Sequence, residues 1–100
     1  MVKALESSLE KTFNREAAKL KLLSIKLVAL SRSGFPDRTV IGRGGLIFFV
    51  ELKRLGEKAK PHQLYWHRKL RKLGFNVYVI DNKAEAISTF KAEIKAHRKA

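Results

Sequence analysis

The sequence predicts one α/β domain, in which a small mixed β-sheet is packed between helices. Apolar residues recur at helical spacing near both ends of the chain, and segments rich in β-branched and aromatic residues lie between them. The length of 100 residues fits a single domain, residues 1–100, with one modest core. The predicted order is helix, three antiparallel-connected strands, helix, strand, helix.

The spacing of apolar residues predicts the first helix and the first strand. Leu9, Phe13 and Ala17 recur every four residues, which predicts a helix over about residues 4–22. Residues 24–30, SIKLVAL, alternate enough to predict a strand, and the turn sequence SRSGFP follows them.

Two further strands form a predicted hairpin. RTVIG and LIFFVEL, residues 38–42 and 46–52, are rich in the residue types that favour strands. Between them GRGG allows positive φ angles, which predicts a tight antiparallel turn. A phosphate-cradling loop would require a helix after the glycines, and a strand follows instead. Segment 46–53 is apolar on both faces, so we expect it at the centre of the sheet.

The second half predicts a β-α-β unit. Pro61 fits the first turn of a helix over residues 61–73. FNVYVI, residues 75–80, reads as a short strand, and Asn82 is a suitable N-cap for the last helix. Strands 46–53 and 75–80 should therefore run parallel, with a right-handed crossover.

Charge narrows the class of partner. The chain has 22 Lys and Arg against 9 Asp and Glu, a net charge of +13, and residues 53–72 hold eight of the cations with one acid. Such a field suits nucleic acid, with a solvated basic face or an anionic membrane surface as alternatives. The chain lacks cysteine and a long apolar run, and its N-terminus does not resemble a secretory signal. We therefore expect a cytoplasmic protein, in the host cell if its origin is viral, without a membrane partner.

Three charges interrupt the apolar hairpin: Asp37, Glu51 and Lys53. A turn centred on residues 43–44 puts Asp37 opposite Val50 or Glu51. Opposed residues have Cβ atoms about 4.5–5.5 Å apart, and like charges there repel. A divalent cation would remove the conflict, as would a raised pKa on one acid. Lys53 points to the same face as Glu51, where it could stabilise charge on a phosphate or position water, or form only a surface ion pair.

The order of these motifs resembles a known family. PD, thirteen residues and then ELK resemble the PD-(D/E)xK nuclease superfamily. GFPDRTVI, GGLIFFVELK and PHQLYWHRKLRKLGFNVYVID together resemble the virus-type replication-repair nuclease (VRR-NUC) domain, over about residues 5–90. The resemblance implies a restriction-endonuclease-like core and a DNA endonuclease that requires Mg²⁺ or Mn²⁺ and no organic cofactor.

The resemblance also implies a substrate and an assembly. It points to a homodimer that cuts branched DNA, such as four-way (Holliday) junctions, in repair or recombination. A nuclease for flaps, ends or duplex DNA is an alternative, and so is a basic nucleic-acid-binding module without catalysis.

The resemblance assigns roles by position in the motifs. The implied metal ligands and catalytic residues are Asp37, Glu51, the Leu52 carbonyl, Lys53 and Gln63. For Gln63, a purely structural hydrogen bond is the alternative. The family also has a glutamate on its first helix, for which Glu10 is preferred over Glu6 because it shares a helix face with the packed apolar residues. For either residue, a solvent-exposed acid at the start of a helix is the alternative.

Cations around the second helix would hold backbone phosphates, contacts that carry no sequence information. The predicted DNA contacts are Arg38, Arg54, Lys58, Lys60, His62, Arg68, Lys69 and Lys72.

Three features of the second helix remain. His62 and His67 are five residues apart, which argues against a zinc pair, and we interpret both as surface groups. Tyr65 and Trp66 are interpreted as core or dimer interface, with base stacking as the alternative. Lys60 stands where a capping serine is common in the family, so we expect that cap to be missing.

Overall fold

The structure is a computed structural model that describes residues 2–26 and 34–99, with side chains for residues 8–26 and 34–98. The elements in chain order are α1 (Val2–Lys19), β1 (Leu23–Ile25), β2 (Arg38–Gly42), β3 (Leu46–Leu52), α2 (Pro61–Lys72), β4 (Val77–Ile80) and α3 (Lys83–Lys99). This is the predicted order. The part of predicted strand 24–30 from residue 27 onward lies outside the described residues.

Helix α1 and strand β4 are each shorter than predicted at one end. Helix α1 ends at Lys19 because Lys21 adopts a left-handed φ of 62° and the Leu22 N–H donates back to a carbonyl in the last turn. Strand β4 starts at Val77 because the Phe75 N–H donates to the Leu70 carbonyl, at the end of α2.

The sheet has the order β1-β2-β3-β4. Strands β1, β2 and β3 pair antiparallel in succession, and β4 pairs parallel with β3. Strand β3 therefore has a partner on each side, as its two apolar faces predicted, and the parallel pair confirms the β-α-β unit. The hand of its crossover stays a prediction.

The β2–β3 hairpin turns through the short 3-10 segment Arg43–Gly45. Gly44 and Gly45 have φ angles of 69° and 81°, a left-handed region in which glycine carries no Cβ penalty. The turn sets the register that pairs Arg38 with Val50. Extended by one residue, the same register puts Asp37 opposite Glu51.

Helices cover both faces of the sheet. One face carries the main core, in which Phe13 of α1 and Phe90 of α3 meet edge to face with ring centroids 4.8 Å apart, against Phe48 and Val50 of β3. The opposite face carries a smaller cluster around Phe49 that packs against α2. Because side chains alternate along a strand, Glu51 and Lys53 share the α2 face with Phe49.

Among the residues that the structure describes, no helix combines the length and apolarity needed to cross a membrane.

Candidate active site

The site begins where the antiparallel ladder between β2 and β3 stops. Strand β2 starts at Arg38, so Leu52, the last residue of β3, has no strand partner on that side. The Leu52 N–H donates instead to Asp37 Oδ2 at 3.0 Å. This bond orients the carboxylate across the end of β3 and leaves its second oxygen, Oδ1, as a potential cation ligand.

The Leu52 carbonyl lies on the same side as Asp37. The N–H groups of Phe49 and Lys53 donate to backbone carbonyls on the β4 side. Backbone groups alternate along a strand, so those of Leu52 point the other way. The extended register puts Pro36 opposite Leu52, and proline has no N–H to donate. The proline of the PD pair therefore leaves the Leu52 carbonyl without a ladder donor from that position.

Glu51 is held from the other side by α2. Its side chain is 2% exposed. Gln63 Nε2 donates to Glu51 Oε2 at 3.3 Å, and His67 Nε2 lies 3.5 Å from Oε1. Gln63 and His67 are four residues apart, so they lie on one face of α2, directly over the carboxylate.

Gln63 also closes the start of α2. The Lys60 side chain makes no capping hydrogen bond, as predicted, but Gln63 Oε1 accepts the Lys60 backbone N–H at 2.8 Å. This is one half of a capping box. Because Oε1 is engaged there, the amide directs Nε2 toward Glu51. A structural hydrogen bond was the alternative role given for Gln63. Such a bond is present, from Gln63 Nε2 to the Glu51 carboxylate, and it positions Glu51.

His67 is a residue that our sequence reasoning placed wrongly. It is not a surface group: its side chain is fully buried against Glu51. Burial lowers the pKa of the imidazole below its usual 6.5, and the charges of Arg71 and Lys53 lower it further, while Asp37 opposes them. We therefore treat the ring as neutral. The four-residue spacing between Gln63 and His67, which puts both on one face of α2, was the signal that could have located His67 in the site. The five-residue spacing from His62 carried no such signal.

Lys53 is the third charged residue of the site. Its side chain is 7% exposed, which excludes the alternative of a surface ion pair. It follows Glu51 by two residues on the face covered by α2, and its charge acts on His67. The site therefore joins two carboxylates, a buried ammonium and a neutral imidazole.

Comparison with known proteins identifies the fold and the family. No family model matches the sequence. The chain is 43% identical over 77 residues to the "Putative nuclease p44" of Acyrthosiphon pisum secondary endosymbiont phage 1, which covers 77% of this chain and 83% of that protein. A solved structure described as a "VRR_NUC domain" superposes with a TM-score of 0.80 at 35% identity, over 87% of this chain and 95% of that one.

The chain belongs to the VRR-NUC family. The predicted resemblance and the restriction-endonuclease-like α/β fold are both confirmed.

In this VRR-NUC domain the first helix meets the sheet on the side away from Glu51. Glu10 pairs with the Arg38 guanidinium at 3.1 Å and with Lys26 at 3.5 Å. Arg38 is only 8% exposed, and a DNA contact from it stays a prediction. The Glu6 side chain lies outside the described residues. A catalytic role for Glu10 stays a prediction.

Few of the described groups in the VRR-NUC domain are placed to bind a metal ion. Among the described residues, no three His, Asp or Glu side chains gather closely enough to hold a metal ion by themselves. The oxygen donors that the fold brings together are the Asp37 and Glu51 carboxylates and the Leu52 carbonyl. All three are hard ligands of the kind that Mg²⁺ and Mn²⁺ prefer.

Most of the predicted DNA-contact residues of the VRR-NUC domain lie on the surface of α2 or just before it. Arg54 is partly buried and pairs with Glu57 at 3.0 Å. The exposed members are Lys58, Lys60, His62, Arg68, Lys69 and Lys72.

Proposed function

We propose that this protein is a DNA endonuclease that depends on Mg²⁺ or Mn²⁺ and has its catalytic centre at Asp37, Glu51 and Lys53. The observation that carries the proposal is the hydrogen bond from the Leu52 N–H to Asp37 Oδ2 at 3.0 Å, which holds Asp37 at the end of β3 beside Glu51, a residue that is 2% exposed. Two acids opposed in this way repel, and one of them has lost most of its solvation. A bound divalent cation offsets both effects.

The chain's own residues fit such a cation. Asp37, Glu51 and the Leu52 carbonyl would hold it. When bound, the cation supplies Lewis acidity, which lowers the pKa of a water molecule and polarises a phosphate oxygen. Hydrogen bonds from the Leu52 N–H and from Gln63 hold one oxygen of each carboxylate, so both ligands are oriented before a cation arrives.

Lys53 is the group that we assign to the phosphate. Lys53 is 7% exposed and shares the face of β3 that carries Glu51, and an electrostatic contact in such a buried place is stronger than in water. It would stabilise the negative charge that builds on the phosphate oxygens as the backbone bond breaks. Gln63 and His67 act on Glu51 rather than on substrate, so we assign them as positioning residues.

The substrate is assigned from charge. The net charge of +13 and the exposed cations of α2 favour a polyanion, and phosphate contacts do not read sequence. Selectivity would then depend on DNA structure. We propose branched DNA, such as a four-way junction, cut by a homodimer whose two centres nick two strands. The family resemblance supports this choice, as it does cytoplasmic action in recombination or repair.

The test compares a four-way junction, a flap and a duplex, labelled on each strand, with Mg²⁺, with Mn²⁺ and with EDTA. We expect metal-dependent cleavage, fastest on branched DNA, and a loss of more than 100-fold in Glu51→Gln and in Lys53→Ala. Glu85→Gln, which removes an exposed carboxylate on α3, is the matched control and should cut like the parent. Binding without metal-dependent cleavage of any substrate would favour the non-catalytic module and overturn the proposal.

A further inference from the structure

A groove runs between α2 and the segment that precedes β2. It encloses about 530 Å³. It is lined by Phe35, Trp66, Lys69, Leu70, Lys72 and Leu73. We call it the α2 groove. Its floor is apolar, and the exposed side chains of Lys69 and Lys72 stand along its rim.

Aromatic rings lie along one side of the α2 groove: Phe35 and Trp66 belong to its lining, and Tyr65 stands beside Trp66 on the surface of α2. Trp66 meets Phe35 with ring centroids 5.8 Å apart and meets Tyr65 at 5.5 Å, both edge to face. Tyr65 is 48% exposed, so it is not part of the core. The Lys69 ammonium lies 5.5 Å from the Tyr65 ring centroid and 5.7 Å from that of Trp66.

This combination matches the chemistry of unpaired nucleotides. Sites for single-stranded DNA join aromatic faces, on which bases stack, with cations that follow the phosphates. The Lys69 ammonium lies over both rings, so a base that stacks on them would displace it toward the adjoining phosphate, and ring and cation together would provide both contacts within one nucleotide.

The α2 groove also lies next to the proposed catalytic centre. Phe35 comes two residues before Asp37 and packs on Phe49 at 5.7 Å. Phe49 precedes Glu51 by two residues on the same face of β3, which corresponds to about 7 Å along the strand. A nucleotide in the groove would therefore neighbour the phosphate being cut.

We propose that the α2 groove binds one unpaired base beside the scissile phosphate, with Tyr65 and Trp66 as stacking surfaces and Lys69 and Lys72 on the phosphates. The proposal rests on the proposed nuclease function and deepens it. Bases in an intact duplex are stacked and paired, and extruding one costs a few kcal/mol. A base site would therefore favour junctions, flaps and frayed ends, because bases there are already unpaired or easily unpaired.

A second copy of the chain is the competing occupant. Leu64, Tyr65 and Leu73 are 39%, 48% and 75% exposed, so α2 does present apolar surface. A two-fold interface centred there would bring the same patch of both copies together, including Lys69 and Lys72. Like charges in an interface are unfavourable, whereas a polyanion neutralises them. The charge of the groove therefore favours DNA.

The experiment measures binding in EDTA, where catalysis does not contribute. The probes are a fluorescein-labelled duplex and the same duplex with an unpaired strand of several nucleotides, in which one unpaired position is the fluorescent base 2-aminopurine. We expect Tyr65→Ala to weaken binding of the unpaired probe by about 5- to 30-fold, because one base stack is lost, with duplex binding changed less than about twofold.

Further variants separate stacking from folding. Tyr65→Phe keeps the ring and should retain binding and the 2-aminopurine quenching that stacking produces. Leu55→Ala removes a side chain that is 82% exposed and lies outside the groove. This substitution should change neither the binding of the unpaired probe nor the 2-aminopurine quenching. Unpaired-probe binding that survives Tyr65→Ala would overturn the proposal, as would equal weakening on both probes.

Two more outcomes are decisive. Quenching unchanged in Tyr65→Ala, together with a shift from dimer to monomer in sedimentation, would assign the groove to a second copy and overturn the base site. Tyr65-dependent quenching in a protein that cleaves no substrate with Mg²⁺ or Mn²⁺ would support the base site and overturn only the nuclease proposal.

Discussion

The opposed carboxylates predict that an inactivating substitution stabilises the metal-free protein. Glu51→Gln removes one of the two negative charges and keeps the shape of the side chain. The Gln63 amide can still donate to the new side-chain oxygen, so the 3.3 Å contact can be retained. What is lost is the repulsion from Asp37, together with a charged ligand for the cation.

The magnitude follows from the register. Side chains opposed in this way have Cβ atoms about 5 Å apart. Two unit charges at about 5 Å repel by roughly 3 kcal/mol at an effective dielectric constant of about 20. Attraction between Glu51 and Lys53 offsets part of this. We therefore expect Glu51→Gln to raise the free energy of unfolding by about 1–2 kcal/mol, or the midpoint by roughly 5–15 °C in a domain of this size.

The assay is thermal unfolding followed by circular dichroism, first in EDTA and then with increasing Mn²⁺. The parent should gain about 2.7 kcal/mol when Mn²⁺ reaches about 100 times its dissociation constant, because the ion binds only the folded state. In EDTA, Glu51→Gln should unfold at a higher temperature than the parent. Its free energy of unfolding should rise much less than that of the parent when Mn²⁺ is added. Glu85→Gln, the exposed control on α3, should follow the parent within about 0.5 kcal/mol.

Two results would refute this reasoning. One is a Glu51→Gln protein that unfolds at a lower temperature than the parent in EDTA. This result would mean that Asp37 and Glu51 do not repel in the folded state. The other is a Mn²⁺ response equal to that of the parent, which would place the cation elsewhere.

Three other predictions test the surroundings of the site. Because burial lowers the pKa of His67 below its unfolded value of 6.5, the unfolded state binds more protons in acid. Stability in EDTA should therefore fall as the pH drops below about 6.5. His67→Leu should flatten this slope in urea titrations. His62→Gln, the control at an exposed position on the same helix, should keep it. Equal slopes in all three proteins would contradict a buried neutral imidazole. Gln63→Ala removes both the acceptor for the start of α2 and the donor to Glu51, so we expect a loss of about 1–2 kcal/mol in urea and weaker Mn²⁺ binding by calorimetry. Unchanged Mn²⁺ affinity would limit Gln63 to the helix cap. Phe13→Ala should cost about 3–5 kcal/mol in urea, since it empties a fully buried position between α1 and α3. A cost below about 1 kcal/mol would contradict that packing.

The sequence alone determined the hairpin and the pair of acids within it. The glycines of residues 44–45 permit a tight turn, and a tight turn sets which positions of β2 and β3 face each other. Counting from the turn puts Asp37 opposite Val50 or Glu51 and puts Glu51 and Lys53 on one face, and the observed pairing of Arg38 with Val50 selects Glu51. These relations are local, since they depend on one turn and on the two-residue period of a strand.

Only the tertiary structure decided what surrounds that pair. His67 is buried because α2 packs its Gln63–His67 face over Glu51, and Glu10 meets Arg38 because α1 covers the opposite face of the sheet. Neither contact follows from a local period. Each depends on how a helix sits against a sheet, which is set by the summed packing of both cores, around Phe13 and Phe90 on one face and around Phe49 and Leu70 on the other.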